Sequence, residues 1–264
     1  MTLASSTEPR ADHHTEAAAS CPQCDDTGWV RNTADDGATT VVRCPCYSAS
    51  RIARLLEGAA IPPRYHHARL DNFAVTSRMD RSLDEARVIA QNFVEAFPGV
   101  PYGLLFVGPA GVGKTHLAAG ILRELIEQRG AVGRFADYRD LLRAIQDSYN
   151  PVSQTSELQI LRPVLDAEVL LLDELGTRRP SNWVLDTVTH ILNDRYSTQK
   201  LTIITTNFPD EPVSWSGDQT LTDRVGAYAR SRLYEMCRIV AMDGEDFRRQ
   251  RSASHPSDRY SLGS

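Results

Sequence analysis

The stretch "GPAGVGKTHLA", residues 108–118, decides the fold. Its first eight residues fit G-x-x-x-x-G-K-[ST], and the flanks are those that give the pattern meaning. "YGLLFVG" ahead of it reads as a buried strand, while Leu117, Ile121, Leu125 and Ile126 behind it recur at helical spacing. A strand that turns straight into a helix aims backbone N–H groups and the positive end of the helix dipole at one point, which suits phosphate. Gly108, Gly111 and Gly113 let that backbone close without obstruction, and Pro109, Ala110, Val112 and His116 complete the expected cradle. Lys114 is expected to reach the β- and γ-phosphates and Thr115 to ligate Mg²⁺. Lysine occurs only at Lys114 and Lys200 in a chain rich in arginine, so one of two slim, flexible point charges sits in this loop.

Outward from the loop the pattern alternates. "VGRFADY", "AEVLLLDE", "LTIITTN" and "RIVAMDG" read as further strands, and "RDLLRAIQDSY", "NWVLDTVTHILNDRYS" and "LTDRVGAYARSRLYEMC" as helices. Short apolar runs alternating with helices predict a five-stranded parallel sheet covered on both faces, an α/β fold. Upstream, "SLDEARVIAQNFVEAF" has an apolar helical face and starts like a capping box, Ser82 with Glu85.

Three strand ends and one helix carry the remaining chemistry. Asp173 and Glu174 leave an apolar strand side by side, a costly arrangement unless a cation meets them. Asp173 is expected to share Mg²⁺ with Thr115, and Glu174 to polarise the attacking water. Asn207 ends the next strand, placed to hydrogen-bond the γ-phosphate or its water. Arg224, Arg230 and Arg232 lie along the last helix; any of them reads either as a solvated basic face or as a finger offered to a neighbouring subunit's phosphate, with Arg232 preferred and Arg224 in reserve.

These motifs together resemble an AAA+ ATPase. In detail "GPAGVGKTHLA", "LLLDELG", "TTNF", "SRLYEMC" and "GEDFR" are similar to the DnaC-like bacterial and phage helicase loaders, over roughly residues 21–250. The resemblance implies an AAA+ P-loop core that grips ATP between subunits, associates with a hexameric replicative helicase and helps place it on single-stranded DNA. It also implies ATP-dependent self-association. A C-terminal helical lid with a second sensor arginine has no room here, which points to a switch completed by partners and DNA. The rival within the same core is the IstB-like ATPase helper of insertion-sequence transposition. A rival from another class is a nucleotide-bound adaptor that does not hydrolyse, which would have no need of Glu174, Asn207 and Arg232.

Ahead of the core, Cys21, Cys24, Cys44 and Cys46 form two close pairs. The intervening "GWVRNTADDGATTVVR" reads as a hairpin turning at "DDG", so the pairs meet. Four thiolates in that arrangement suit tetrahedral Zn²⁺, and a metal can staple a segment too small for its own core. Disulfides would fit a reducing cytoplasm poorly. Cys237 reads as a buried small hydrophobe, and His66 and His67 as linker residues rather than ligands. Similar loaders carry such a module to contact the helicase, followed by an "IPPRY…LDNF"-like connector.

After the acidic pair comes "TRRPSNW". Arg178 and Arg179 can meet DNA phosphates, Ser181 can hydrogen-bond one, and Trp183 can stack a base, or else belong to the core; Tyr149 is a further aromatic candidate. The expected organisation is a disordered arm 1–20, a zinc-binding and helicase-contacting module 21–60, a linker 61–80, the AAA+ domain 81–250 and a disordered tail 251–264. Among 264 residues, 41% are hydrophobic and 24% charged, an ordinary globular balance; a net charge of −5 leaves any DNA contact to a local patch. The first twenty residues lack the basic start and apolar run of a signal peptide. No apolar run approaches the ~20 residues needed to span a bilayer, so a cytoplasmic protein is expected, without membrane contact.

Overall fold

The computed structural model describes residues 21–25, 27–33, 39–73, 81–213, 215–217 and 219–248. The expected arm 1–20, the tail 251–264, the "DDG" turn and residues 74–80 of the linker lie outside them. The chain divides into two compact units, residues 1–51 and 52–264.

In the first unit β1 (Trp29–Thr33) and β2 (Thr39–Arg43) pair antiparallel, with Trp29 opposite Arg43 and Val30 opposite Val42. Nearly every hairpin side chain is exposed. Among the described residues of this unit, Cys24 and Cys44 are the buried hydrophobic side chains. An apolar core of two thiols cannot hold a hairpin, so the cysteines themselves must do it. The Arg43 guanidinium lies over the rings of Trp29 (3.8 Å) and Tyr47 (4.3 Å). Tyr47 belongs to α1 (Pro45–Gly58), which continues into the second unit.

The second unit opens with a 3-10 turn at Pro63–Tyr65 and then runs α2 (Arg81–Ala96), β3 (Gly103–Val107), α3 (Lys114–Arg129), β4 (Gly133–Asp137), α4 (Tyr138–Ser148), α5 (Glu157–Asp166), β5 (Val169–Asp173), α6 (Asn182–Ser197), β6 (Leu201–Thr206), α7 (Leu221–Met236) and β7 (Cys237–Ala241). The five strands β3–β7 form one parallel sheet in the order β4-β5-β6-β3-β7. Side chains alternate across it. Leu104, Phe106, Val169, Leu171 and Ile203 enter the core shared with α2 and α3, while Leu105, Leu170, Leu172 and Ile204 enter the core shared with α4 to α7. Both faces are therefore apolar, which is why the strands read as unbroken hydrophobic runs.

Two details depart from the sequence reading. Helix α5 had no counterpart in it; a capping box of Ser156 and Gln159 starts this short helix, and Pro163 interrupts its pattern. At α2, Ser82 does not cap: the helix already includes Arg81, Ser82 Oγ donates to the Asp243 carbonyl and accepts the Asp243 N–H, and Glu85 pairs with Arg81. Residues 61–73 pack as part of this unit. Ile61, Ala68, Leu70 and Phe73 are buried, and Arg69 and the Leu70 N–H are tied to Glu127 and Glu124 of α3.

Arg195 of α6 is fully buried, and among the described residues no carboxylate hydrogen-bonds to it. It donates to the carbonyls of Val164, Ala167 and Leu201 and to Thr202 Oγ1, tying α5, α6 and β6 together. Burial lowers it to about 10. Among the described residues, no helix is long and apolar enough to cross a membrane.

Candidate functional site

The carboxyl ends of β3, β5 and β6 are adjacent in the sheet, so the P-loop, the Asp173–Glu174 pair and Asn207 arrive at one crevice. A cavity of about 410 Å³ opens there. Ala110 to His116, Glu174, Thr205 and Asn207 line it, together with Arg64, Tyr65, Asn72 and Phe73 from the segment before α2 and Glu245, Phe247 and Arg248 from the segment after β7. Of the expected cradle, Gly108 and Pro109 lie behind the lining and turn their carbonyls to Lys114, whose Nζ donates to them at 2.8 and 2.7 Å. Burial, more than its acidic and basic neighbours, lowers Lys114 to about 8. A phosphate would supply the counter-charge that two carbonyl dipoles only partly replace.

The glycines do more than admit phosphate. Gly111 (φ +90°) and Gly113 (φ +100°) have backbone that disfavours any side chain, and a Cβ would meet the Asp246 carboxylate at 2.0 Å and the Phe73 ring at 2.6 Å. The loop is thus gripped by the segments on either side of the core.

The residues expected at Mg²⁺ fit a cation. Thr115 Oγ1 and Thr205 Oγ1 both donate to Asp173 Oδ1, at 2.8 and 2.6 Å, whereas Asp173 Oδ2 is buried with no hydrogen-bond partner. Burial pushes this carboxyl upward, with the two hydroxyls opposing. Thr115 and Asp173 would hold the ion. Glu174 has φ +59°, the left-handed region; its N–H donates to Thr205 Oγ1 at 2.9 Å, and its carboxylate is paired with Arg139 of α4 at 3.0 Å. His116 is half-buried, its Nε2 2.8 Å from Asn72 Oδ1, and burial lowers its pKa. Since the Asn72 amide donates to the His67 carbonyl and its oxygen accepts the Arg69 N–H, His116 must be the donor in that pair.

None of Arg224, Arg230 and Arg232 lines this cavity. Arg230 is chelated by Asp210. Arg224 is buried, donating to the Gly176 carbonyl at 2.6 Å and lying over Phe208. Arg232 is partly exposed, bonded to Asn193 and Glu235 and stacked on Tyr196.

At the far end of α4, Trp183 packs half-buried against the core, donates to Tyr149 Oη at 3.3 Å and meets its ring edge-on at 6.3 Å. Arg178 lies over Trp183 and bonds Gln146, and Arg179 is exposed. Ser181 is occupied as the cap of α6, accepting the Val184 N–H. Trp183 therefore has a structural place, and the exposed aromatic surface here belongs to Tyr149.

In the first unit the four cysteine Sγ atoms all lie within 4.8 Å of one another. Cys21–Cys44 and Cys24–Cys46 are 3.7 and 3.3 Å apart, too far for disulfides. Tetrahedral zinc with ~2.3 Å bonds places sulfurs roughly 3.8 Å apart, so the set fits that ion. Cys237 is buried, as expected.

Arg139, Arg64, Asn72, Phe73, Thr205 and Arg248 escaped the sequence reading. The quoted motifs "IPPRY…LDNF", "TTNF" and "GEDFR" contain Arg64, Asn72, Phe73, Thr205 and Arg248 without assigning them a role, and Arg139 stood in none of them.

Comparisons with known proteins agree with this architecture. The model of the IstB-like ATP binding protein family matches residues 47–255. The replicative helicase loader DnaC of Escherichia coli (strain K12) is 28% identical over 178 residues, covering 67% of this chain and 70% of that protein. A putative ATP-binding protein in an insertion sequence of Mycobacterium tuberculosis is 27% identical over 198 residues, covering 69% and 76%. A crystal structure of the DnaC helicase loader aligns with TM-score 0.59 and 34% identity, over 69% of this chain and 99% of that one. A strand–P-loop–helix core with its acidic pair and polar strand end at one crevice is the nucleotide-binding ATPase fold, and this chain belongs to the IstB-like ATP binding protein family, with similarity to the DnaC helicase loaders.

Proposed function

We propose that this protein is an ATP-driven loader that places a ring-shaped replicative DNA helicase on single-stranded DNA. The observation that carries the reading is the four-cysteine unit ahead of a DnaC-like ATPase. The IstB-like match begins at residue 47, just past Cys46, so an insertion-sequence ATPase leaves the cysteine unit without a task. A loader needs a module to hold its helicase, and zinc on Cys21, Cys24, Cys44 and Cys46 would give that module its shape. A cysteine cluster held by metal and not by disulfides suits a cytoplasmic protein.

At the nucleotide site, Lys114 leaves its two carbonyls for the phosphates. Mg²⁺, when bound, neutralises developing charge on the phosphate oxygens. Asn207 hydrogen-bonds the γ-phosphate or the attacking water, and Arg248 adds positive charge from the segment after β7. Glu174 orients the water only once Arg139 lets it go. A finger from a neighbouring subunit, Arg232 before Arg224, completes the charge; its distance from its own chain's pocket suits that role. Single strands meet Arg178, Arg179 and the Tyr149–Trp183 pair, with Ser181 fixing the helix start beneath them. Because α4 has Arg139 in its first turn and Tyr149 at its C-cap, strand binding at one end can loosen the Arg139–Glu174 pair at the other.

The test is Glu174→Gln with the organism's purified replicative helicase. Nucleotide binding should persist while ATP turnover and helicase loading are lost. Unchanged turnover and loading would end the hydrolytic assignment.

A further inference from the structure

The phosphate loop is touched by one of the chain's own acids. Residues 242–248 leave β7 and turn back along the pocket. The Met242 N–H donates to the Val107 carbonyl at 2.7 Å, Ser82 and Asp243 bond each other twice, and the Phe247 N–H donates to the Gly111 carbonyl at 3.2 Å. Between these anchors the Asp246 carboxylate lies against Gly111, in the space a side chain there would need, and its Oδ1 accepts the Arg248 N–H at 2.9 Å. Glu245 lines the cavity, whereas Asp246 stands outside its lining, against Gly111. A loop whose amides are arranged for an anion therefore has a carboxylate in contact with one of its glycines.

We propose that residues 243–248 form an acidic strap in which Asp246 opposes the arriving phosphates and so sets how fast nucleotide leaves. This rests on the P-loop binding a nucleotide, and goes beyond it by assigning the exchange rate to one residue. The strap carries charges of both signs: Arg248 attracts phosphate into the pocket, while Asp246 and Glu245 repel it. Of the two acids, Asp246 is the one in contact with the loop. Like charges this close across a partly wet surface change binding by roughly three- to tenfold, and salt screens the effect. A loader that must change nucleotide state with its partners gains from such a brake on affinity, because ADP then leaves without an exchange factor.

The test uses the full chain with Mg²⁺ and a fluorescent ADP analogue, measuring affinity and stopped-flow release at about 0.05 M and about 0.5 M salt. Asp246→Asn keeps the shape and the acceptor for the Arg248 N–H. It should bind roughly three- to tenfold more tightly and release correspondingly slowly at low salt, with the gap closing at high salt. Asp246→Glu, which keeps the charge, should release like the unaltered protein. Asn binding no tighter, a gain indifferent to salt, or Glu behaving like Asn would each overturn the strap. Lys114→Ala, expected to abolish binding, separates the two levels: if the unaltered protein itself binds no analogue, the nucleotide reading fails first and the strap with it. Thermal unfolding of each variant identifies any that are misfolded, and Asp246→Ser then replaces Asn.

Discussion

Replacing Arg139 by alanine should raise hydrolysis in the absence of DNA. In the structure Arg139 Nη2 stands 3.0 Å from Glu174 Oε2, with the arginine side chain 60% exposed and the glutamate 29%. A pair that open to solvent is worth roughly 0.5–1 kcal/mol, discounted for screening. If Glu174 must be free to orient water, removing the pair raises its free fraction, and the basal turnover, about two- to fivefold. The same helix explains why DNA should matter. Its eleven residues span about 16 Å, and its far end is joined to the proposed strand-binding surface by Gln146–Arg178 (2.6 Å) and Trp183–Tyr149 (3.3 Å). Single strands would then have less restraint left to relieve, so their stimulation of Arg139→Ala should shrink by the factor by which its basal rate rose. Steady-state ATPase with and without a single-stranded oligonucleotide reads both numbers, and Glu174→Gln in the same background should silence both. A basal rate that stays level or falls, with full stimulation retained, refutes the restraint.

Four other outcomes follow from the geometry. Lys114 is lowered to about 8 by burial in the nucleotide-free chain, and phosphate binding must restore its charge. The bound state therefore takes up a proton, so affinity should be flat below pH 8 and weaken about tenfold per unit above it, toward the ordinary lysine range; titration calorimetry in buffers of different ionisation heat reads that proton. Unliganded stability should move the opposite way, rising through the same window, because the fold holds fewer protons on Lys114 than the unfolded chain does. The purified protein should carry one zinc per chain, lost in Cys24→Ser, while that variant's nucleotide affinity stays within about twofold because every pocket residue belongs to the second unit. Arg195→Ala strands several buried carbonyls at once and should cost about 3–5 kcal/mol in denaturant unfolding; a loss below about 1 kcal/mol would show that water replaces the guanidinium.

The sheet could be read from order alone because each strand is a short run apolar on both faces, and because a P-loop specifies what precedes and follows it. The polar strand ends were equally legible as positions: Asp173, Glu174 and Asn207 come at the point where apolarity stops, and the sheet order brings them to one crevice. The rest depends on partners distant in sequence. Nothing about "IPPRYHHARLDNF" announces that Phe73 lies on Gly113 or that Arg69 meets Glu127, since a Pro-rich stretch has no period to read. Arg139 looks like any solvated helix residue until Glu174, 35 positions on, is placed beside it. Trp183, which the sequence left open between a base-stacking face and the core, has a half-buried seat against Tyr149.

The most direct measurement is helicase loading on a closed circular single strand with purified components. The organism's replicative helicase, this protein and ATP are combined, and bound helicase is counted after gel filtration. Helicase should remain on the circle only when both this protein and ATP are present, and not with Lys114→Ala. Loading indifferent to this protein, alongside stimulation of a transposase by it, would contradict the account.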